Sequence, residues 1–180
     1  QLARHGYQLA EGDPIGQQAD VYVLNTCSVR EKAEQKVLSL LGRLRKQSPK
    51  ATLVVAGCMA QTHGRKLLDK IPYVSMFIGP NDYHQFGTLL EQSQSGRRVV
   101  AVNDPDPEHD FAPPAPPAGS PCAFVTVMKG CNNYCSYCVV PYARGPERSR
   151  PSGEIITEIE GLVAQGVRDV TLLGQNVNSY

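Results

Sequence analysis

Apolar residues alternate between short continuous runs and helix-spaced series over the first hundred residues. Short runs rich in β-formers predict buried strands at 21–25, 53–57, 74–78 and 99–102. Between them, helical spacing predicts helices at roughly 63–70 and 83–92, and most clearly in the series Val29, Ala33, Val37, Leu40, Leu41 and Leu44. This alternation predicts an α/β domain over residues 1–102, with a parallel sheet and helices on both faces.

The stretch 103–120 interrupts the pattern. It contains six prolines and four acidic residues. This composition favours a stiff, extended linker. A proline motif that binds a partner module is the alternative.

A second alternation follows the linker. Phe124–Met128 predicts a strand, Val170–Leu173 predicts a second, parallel strand, and a helix is predicted between them from apolar residues at 155, 156, 159, 162 and 163. Gly166 ends this helix. We therefore expect residues 121–180 to form the first βαβ unit of a truncated, partial (β/α) barrel.

Composition narrows the class of protein. With 41% hydrophobic and 19% charged residues, the chain is typical of a soluble globular protein, and its net charge of +1 indicates no particular partner. Apolar runs all fall short of the ~20 residues that span a bilayer, so no membrane association is expected. The sequence begins with Gln1 rather than Met; we interpret it as a fragment, which leaves an upstream targeting segment open.

Three of the six cysteines carry the strongest chemical signal. Cys131, Cys135 and Cys138 have the spacing C-x3-C-x2-C, and three thiolates suit a 4Fe–4S cluster whose fourth iron stays open to a small molecule. Structural zinc sites use four ligands and usually pair two C-x2-C units, and the sequence has no second unit. Zinc or a disulfide is the less favoured alternative. The irregular spacing of all six cysteines favours a reducing compartment.

Cys27 and Cys58 form a second candidate site. Each directly follows a predicted strand and precedes a helix, so both are expected at the same edge of the parallel sheet. The positive ends of two helix dipoles would stabilise an anionic cluster there. Two ligands are one short of such a site, and a third would lie upstream of Gln1. By geometry alone, two buried core cysteines are the alternative.

Longer motifs add a family resemblance. With Gly130 before its first cysteine and Tyr137 before its third, the cysteine loop resembles that of the radical S-adenosylmethionine (SAM) enzymes. The segments 25–33 (NTCSVREKA) and 57–61 (GCMAQ) resemble the amino-terminal domain of the methylthiotransferases. The segments 130–151 (GCNNYCSYCVVPYARGPERSRP) and 172–180 (LLGQNVNSY) resemble the start of their radical SAM domain. Within that family, these motifs are most similar to the branch that modifies tRNA.

This resemblance implies two 4Fe–4S clusters and SAM as cofactors. Cys131, Cys135 and Cys138 would hold the cluster that binds SAM. Cys27 and Cys58 would hold an auxiliary cluster together with an upstream cysteine that the fragment lacks. Tyr137 would lie against the adenine or pack the loop. Further implied SAM contacts are Gly174, Gln175 and Asn176, for which an ordinary βα turn is the alternative.

The implied activity is the addition of a methylthio group to C2 of N6-dimethylallyladenosine in tRNA, by a cytoplasmic monomer. The implied partners are tRNA, a sulfur donor and a low-potential electron donor such as flavodoxin or ferredoxin. The alternatives are a ribosomal-protein aspartate methylthiotransferase and a non-enzymatic iron–sulfur electron-transfer protein. We expect the 180 residues alone to be inactive.

The charge pattern alone does not show that the partner is tRNA. Between Lys129 and Arg150 there are four basic residues against one acidic residue, which suits a phosphate-rich partner, but a solvated charged face is the commoner explanation. No set of acid–base catalytic side chains stands out, and the four histidines lack metal-ligand spacing. The tRNA expectation therefore rests on the resemblance.

Overall fold

The computed structural model describes residues 2–10, 12–28, 31–105 and 119–180. The chain divides into two compact units, Gln1–Asp104 and Pro105–Tyr180, called the first and second unit below. Most of the predicted linker, residues 106–118, lies outside the described residues. The domain boundaries given above therefore stay predictions.

The first unit is built on a four-stranded parallel sheet, which confirms the predicted α/β class. Its strands follow one another in chain order: β1 (Val21–Thr26), β2 (Thr52–Gly57), β3 (Met76–Ile78) and β4 (Val99–Ala101). Its helices are α1 (Glu31–Gln47), α2 (Cys58–Lys70) and α3 (Phe86–Gln94), with short 3-10 helices at Leu2–His5 and Pro80–Gln85.

Helices cover both faces of this sheet. Successive residues of β2 point to opposite sides: Leu53 and Val55 pack in one core cluster with residues of α1 and α2. Val54 and Ala56 pack in another cluster with residues of α3. All four side chains are at most 2% exposed, so β2 is the central, fully buried strand that its continuous apolar run indicates.

Some element boundaries differ from the predictions. α2 begins at Cys58 rather than near His63, because its first turns bury Met59, Ala60 and Gly64, and small residues give a weak apolar signal. The predicted helix at 83–92 is a 3-10 helix followed by α3, and Pro80 occupies the first turn of the 3-10 helix. β3 begins two residues later than predicted.

The second unit contains the predicted βαβ arrangement. β5 (Cys122–Thr126) and β8 (Asp169–Leu173) pair in parallel and are connected through α5 (Ser152–Ala164). Short elements that the sequence did not predict lie between them: β6 (Met128–Lys129), α4 (Val140–Arg144) and β7 (Arg148–Ser149), and a 3-10 helix at Val177–Ser179 follows β8.

The prediction of a single strand at 124–128 is wrong at its carboxyl end, because this segment takes part in two sheets. The Val127 N–H donates to the Leu173 carbonyl at 2.9 Å, which extends the β5–β8 pair. The Val127 carbonyl accepts from the Arg150 N–H at 2.9 Å, and beyond it β6 pairs antiparallel with β7. The chain thus changes pairing partner at Val127, three residues before the cysteine loop that begins at Gly130.

In the described residues of the second unit, the core cluster is formed by Val125, Met128, Ile155, Leu162 and neighbouring apolar residues. On the β5–β8 pair, Phe124 and Leu172 are 66% and 47% exposed, so that sheet buries one face only. In the part of the chain that the structure describes, no helix combines the length and apolarity needed to cross a membrane.

Candidate cysteine-cluster sites

Cys27 and Cys58 lie at the same edge of the first sheet. In the parallel register of β1 and β2, Thr26 is opposite Gly57, so the two cysteines follow neighbouring strand ends. Cys27 is exposed and Cys58 is half-buried, and both are free thiols. Neither is a core side chain, which disfavours the alternative of two buried structural cysteines.

A glycine sets the position of Cys58. Gly57 has φ 93° and ψ −158°, a region that is essentially restricted to glycine. A Cβ atom at Gly57 would lie closer than 3.0 Å to the Thr26 carbonyl oxygen and to Asn25 Oδ1. The glycine therefore allows β2 to lie tight against β1 and the chain to turn at once into α2, which begins with Cys58 and directs its positive dipole end to this edge.

Side-chain hydrogen bonds join the two cysteine segments. The Ser28 and Thr62 hydroxyls are 3.3 Å apart, and Thr62 Oγ1 donates to the Cys58 carbonyl at 2.9 Å. The Tyr83 hydroxyl donates to Asn25 Oδ1 at 3.1 Å. Sequence reasoning missed these supporting residues, because they are distant along the chain and only strand pairing makes them neighbours.

The second site is the loop 130–138 that follows β6. Cys131 is buried, at 8% exposure, whereas Cys135 is exposed and Cys138 is half-buried, and all three are free thiols. The Cys138 N–H donates to the Cys135 carbonyl at 2.9 Å, which makes a tight turn between the last two cysteines. The loop is thus buried at its start and open at its middle.

The start of this loop is braced by the segment 145–147. Gly130 has φ 77°, and a Cβ atom there would lie closer than 3.0 Å to the Pro146 carbonyl oxygen. The Cys131 N–H donates to the Gly145 carbonyl at 3.3 Å, and the Glu147 N–H donates to Asn132 Oδ1 at 3.0 Å. These contacts fix the backbone on both sides of Cys131.

An aromatic pair holds the middle of the loop. Tyr134, between Cys131 and Cys135, has φ 45°, which is uncommon for a residue with a side chain. Its ring meets that of Tyr142 on α4 edge to face, with ring centroids 6.0 Å apart, a favoured aromatic geometry. Both side chains remain exposed.

The four predicted SAM contacts lie in different environments. Tyr137 is 91% exposed, so it does not pack the loop. Gly174 lies against Met128, since a Cβ atom there would lie closer than 3.0 Å to the Met128 side chain. Gln175 Oε1 accepts from the Gly130 N–H at 2.7 Å. Asn176 begins a turn in which its carbonyl accepts from the Ser179 N–H at 3.0 Å. The structure thus brings the 174–176 segment beside the cysteine loop.

The donor set of the second site fits an iron–sulfur cluster chemically. Among residues 2–10, 12–28, 31–105 and 119–180, no three His, Cys, Asp or Glu side chains are grouped so that they could hold a metal ion. Three free thiols nevertheless lie within one eight-residue segment whose first thiol is fixed. Thiolates are the usual ligands of such clusters, so the residue types of this loop suit an iron–sulfur cluster.

Part of the basic run at 129–150 is structural. Arg150 is 6% exposed; its Nη1 donates to Glu158 Oε2 at 2.6 Å and to the Thr126 carbonyl at 2.8 Å. A buried, paired guanidinium stabilises the fold and is not presented to an external phosphate. The run therefore offers fewer cations to an RNA than its sequence indicates.

Two family models match this chain. Residues 1–79 match the family described as "Uncharacterized protein family UPF0004", and residues 125–180 match the "Radical SAM superfamily". The second match covers the cysteine loop, α5 and β8. The second unit is therefore a radical SAM domain.

The names of the similar curated proteins are more specific than the descriptions of the two family models. The tRNA-2-methylthio-N(6)-dimethylallyladenosine synthases of Enterobacter sp. (strain 638) and Yersinia enterocolitica are both 47% identical to the chain, over 99% and 98% of its length. The synthase of Cereibacter sphaeroides is 44% identical over 99% of it. The chain belongs to the methylthiotransferase family of radical SAM proteins. It spans 38%, 37% and 41%, respectively, of these relatives' own lengths.

Solved structures show the same fold. The radical SAM methyltransferase TsrM from Kitasatospora setae, with cobalamin and a [4Fe-4S] cluster bound, matches 92% of this chain and 39% of its own at a TM-score of 0.53 and 17% identity. The same enzyme with tryptophan and a SAM analogue gives a TM-score of 0.53 over 90% of this chain and 38% of its own, at 16% identity. At these identities the likeness concerns the fold alone.

Proposed function

We propose that the full-length protein is a radical SAM enzyme that adds a methylthio group to C2 of N6-dimethylallyladenosine in tRNA. One observation carries the proposal: nearly the whole chain, both cysteine sites included, aligns at 47% identity with a synthase of that name. An aromatic C–H next to ring nitrogens offers no acid–base route to substitution. Radical chemistry suits such a carbon.

The second unit would bind and position SAM. Cys131, Cys135 and Cys138 would hold a 4Fe–4S cluster, which when bound supplies the electron for SAM cleavage and an open iron for the SAM amino and carboxylate groups. Tyr137 has the exposure needed to lie against the adenine. The backbone of 174–176 follows β8, at the strand end where barrel enzymes assemble their active sites.

The first unit would hold the auxiliary cluster. Cys27 and Cys58 supply two thiolates from neighbouring strand ends, and the third would come from a cysteine upstream of Gln1. The Ser28–Thr62 contact keeps the two segments together, and the start of α2 favours negative charge at this edge. We propose that sulfur is held here and receives a methyl group before its transfer to the base.

We propose tRNA, a sulfur donor and a low-potential electron donor such as flavodoxin or ferredoxin as partners. The names of the curated relatives support tRNA. The two donors are required by the chemistry, since the product gains a sulfur atom and SAM cleavage consumes an electron. The domain arrangement proposed from the sequence, 1–102 and 121–180 around a linker at 103–120, assigns one cluster to each domain.

Nucleoside mass spectrometry on a deletion strain tests the proposal. We expect the 2-methylthio nucleoside to disappear from tRNA and to return when the full-length gene is restored. If the tRNA is unchanged and a ribosomal-protein aspartate loses its methylthio group instead, the ribosomal-protein alternative is correct. Anaerobically purified full-length protein should contain about eight irons per chain if both clusters form and about four if only one does.

SAM titration separates the enzyme from an electron carrier. The spectrum of the reduced cluster should change when SAM is added, because SAM would bind the open iron. A cluster spectrum that ignores SAM would support the non-enzymatic iron–sulfur protein. Preferential uptake of zinc over iron would contradict both.

A further inference from the structure

We propose that Gln175 is a positioning residue for the cysteine loop. Its side-chain carbonyl oxygen accepts the Gly130 N–H at 2.7 Å and thereby fixes the backbone from which Cys131 presents its thiol. The inference rests on the proposed function in so far as the loop holds the SAM-cleaving cluster. It assigns to the Gln175 side chain a role other than contact with SAM.

Strand register explains how these distant residues meet. β5 and β8 pair in parallel with Thr126 beside Leu173, so the segments that leave the two strands run out at the same edge. Gln175 is the second residue after β8, and Gly130 directly follows β6. A donor–acceptor distance of 2.7 Å is at the short end of the range for N–H···O hydrogen bonds.

Gln175 is the acceptor that the structure gives the Gly130 N–H. The positive φ of Gly130 turns its Cα toward the Pro146 carbonyl, and the next N–H, of Cys131, is taken by Gly145 at 3.3 Å. The two consecutive donors are therefore served by two different residues, Gly145 and Gln175. Losing the second acceptor would leave a partly buried donor with only water to bond.

The amide of glutamine suits this role better than a carboxylate would. A thiolate-ligated cluster is anionic, and a negative charge near it lowers its reduction potential. Gln175 provides a carbonyl acceptor without adding charge. Removing the acceptor and replacing it with a negatively charged one should therefore have different effects.

The test uses the full-length protein with Gln175→Leu, which removes the acceptor, and Gln175→Glu, which keeps one. Gln165→Leu is the matched control, since Gln165 is also an exposed glutamine but donates only within its own helix end, to the Gly161 carbonyl at 2.9 Å. The first readout is backbone amide exchange of residues 128–138 in metal-free protein. We expect the Gly130 amide to exchange on the order of fivefold faster in Gln175→Leu, and at close to the wild-type rate in Gln175→Glu and Gln165→Leu.

The second readout is the midpoint potential of the reconstituted loop cluster, measured with Cys27 and Cys58 replaced by alanine so that one cluster remains. Gln175→Glu should lower the potential, whereas Gln165→Leu should leave it unchanged. This shift reports that residue 175 lies close to the cluster, whereas the amide exchange of Gly130 reports whether its side chain orders the loop.

Two results would overturn the inference. An unchanged Gly130 exchange rate in Gln175→Leu would show that the bond does not order the loop. Weaker SAM binding in that variant, with unchanged exchange, would make Gln175 a SAM contact instead. Because the exchange experiment needs neither cluster nor SAM, it decides the inference even if the proposed function fails in the iron and SAM measurements.

Discussion

The two cysteine sites bring their thiols together by different means. Cys27 and Cys58 are 31 positions apart in sequence (58 − 27) and become neighbours only because β1 and β2 pair in parallel. Cys131, Cys135 and Cys138 are close in sequence, and the structure fixes the first of them through contacts with segments 145–147 and 175. The first site therefore depends on sheet formation, and the second depends on the support of one loop end.

The sheets that carry the two sites also differ in how far they are buried. β2 is buried on both faces between two core clusters, whereas four of the five residues of β8 are exposed. A thiol that follows β2 starts from a rigid, central strand. The cysteine loop of the second unit starts from a sheet with one covered face, which explains why additional hydrogen bonds are concentrated at its beginning.

The largest expected effect separates the two sites by activity. In the full-length protein, Cys135→Ala should reduce SAM cleavage to background, because it removes a ligand of the cleaving cluster. Cys58→Ala should preserve cleavage but stop methylthio transfer. Chromatography of 5′-deoxyadenosine and mass spectrometry of the modified nucleoside measure the two activities. Cys122→Ala is the control, since Cys122 lies exposed on β5 outside both sites. Equal loss of cleavage in both ligand variants would contradict the division of roles.

Alanine at Gly57, which precedes Cys58, or at Gly130, which precedes Cys131, should disable one site at a time. Gly57→Ala and Gly130→Ala each force a side chain into a positive φ and against a carbonyl oxygen, at a cost of about 1–3 kcal/mol in the free energy of unfolding. Each variant should retain about four irons per chain, at the other site. Chemical denaturation and iron analysis measure these effects.

Gly161→Ala is the matched control for these variants. A Cβ atom at Gly161, in α5, would meet no atom within 4 Å, so this change should stabilise the protein by about 0.5–1 kcal/mol. Loss of all iron from either Gly57→Ala or Gly130→Ala would show that the two sites are not independent.

The smallest expected effect concerns the hydroxyl contact of the first site. Thr62→Val keeps the shape of the side chain but removes its bonds to Ser28 and to the Cys58 carbonyl. We expect a loss of about 1 kcal/mol in unfolding free energy and faster release of iron from Cys27 and Cys58 to a chelator. Thr171→Val, at an exposed position of β8, should change neither quantity. Iron release from the loop site that rises equally in Thr62→Val would argue against a local role.

The sequence predicted the elements whose apolar pattern is strong. β1, β2, α1 and α5 carry continuous or helically spaced apolar residues, and the structure confirms them. The pairing of β6 with β7 involves two residues on each strand, too few for any periodicity. The helix α4 (VPYAR) and the first turn of α2 (CMAQ) are too short for a helical spacing of apolar residues to be recognised.

In the candidate sites, too, local patterns were predictable from the sequence and contacts between distant residues were not. The thiols were found because cysteine spacing is local, or because each cysteine follows a recognisable strand. The bond between Gln175 and Gly130 joins residues 45 positions apart, and the contact of Ser28 with Thr62 joins residues 34 apart. Such pairs depend on which loops leave the same sheet edge, and a single sequence does not contain that information before the register is known.

The glycine–cysteine pairs also bear on how natural variants of this protein are interpreted. Every missense change of a glycine introduces a Cβ atom, so no single-residue replacement at 57 or 130 escapes the neighbouring carbonyl oxygen. A genome survey that counts intact cysteines as intact sites would overlook such alleles. Positions 57 and 130 belong in any genotype-based inventory of inactive copies.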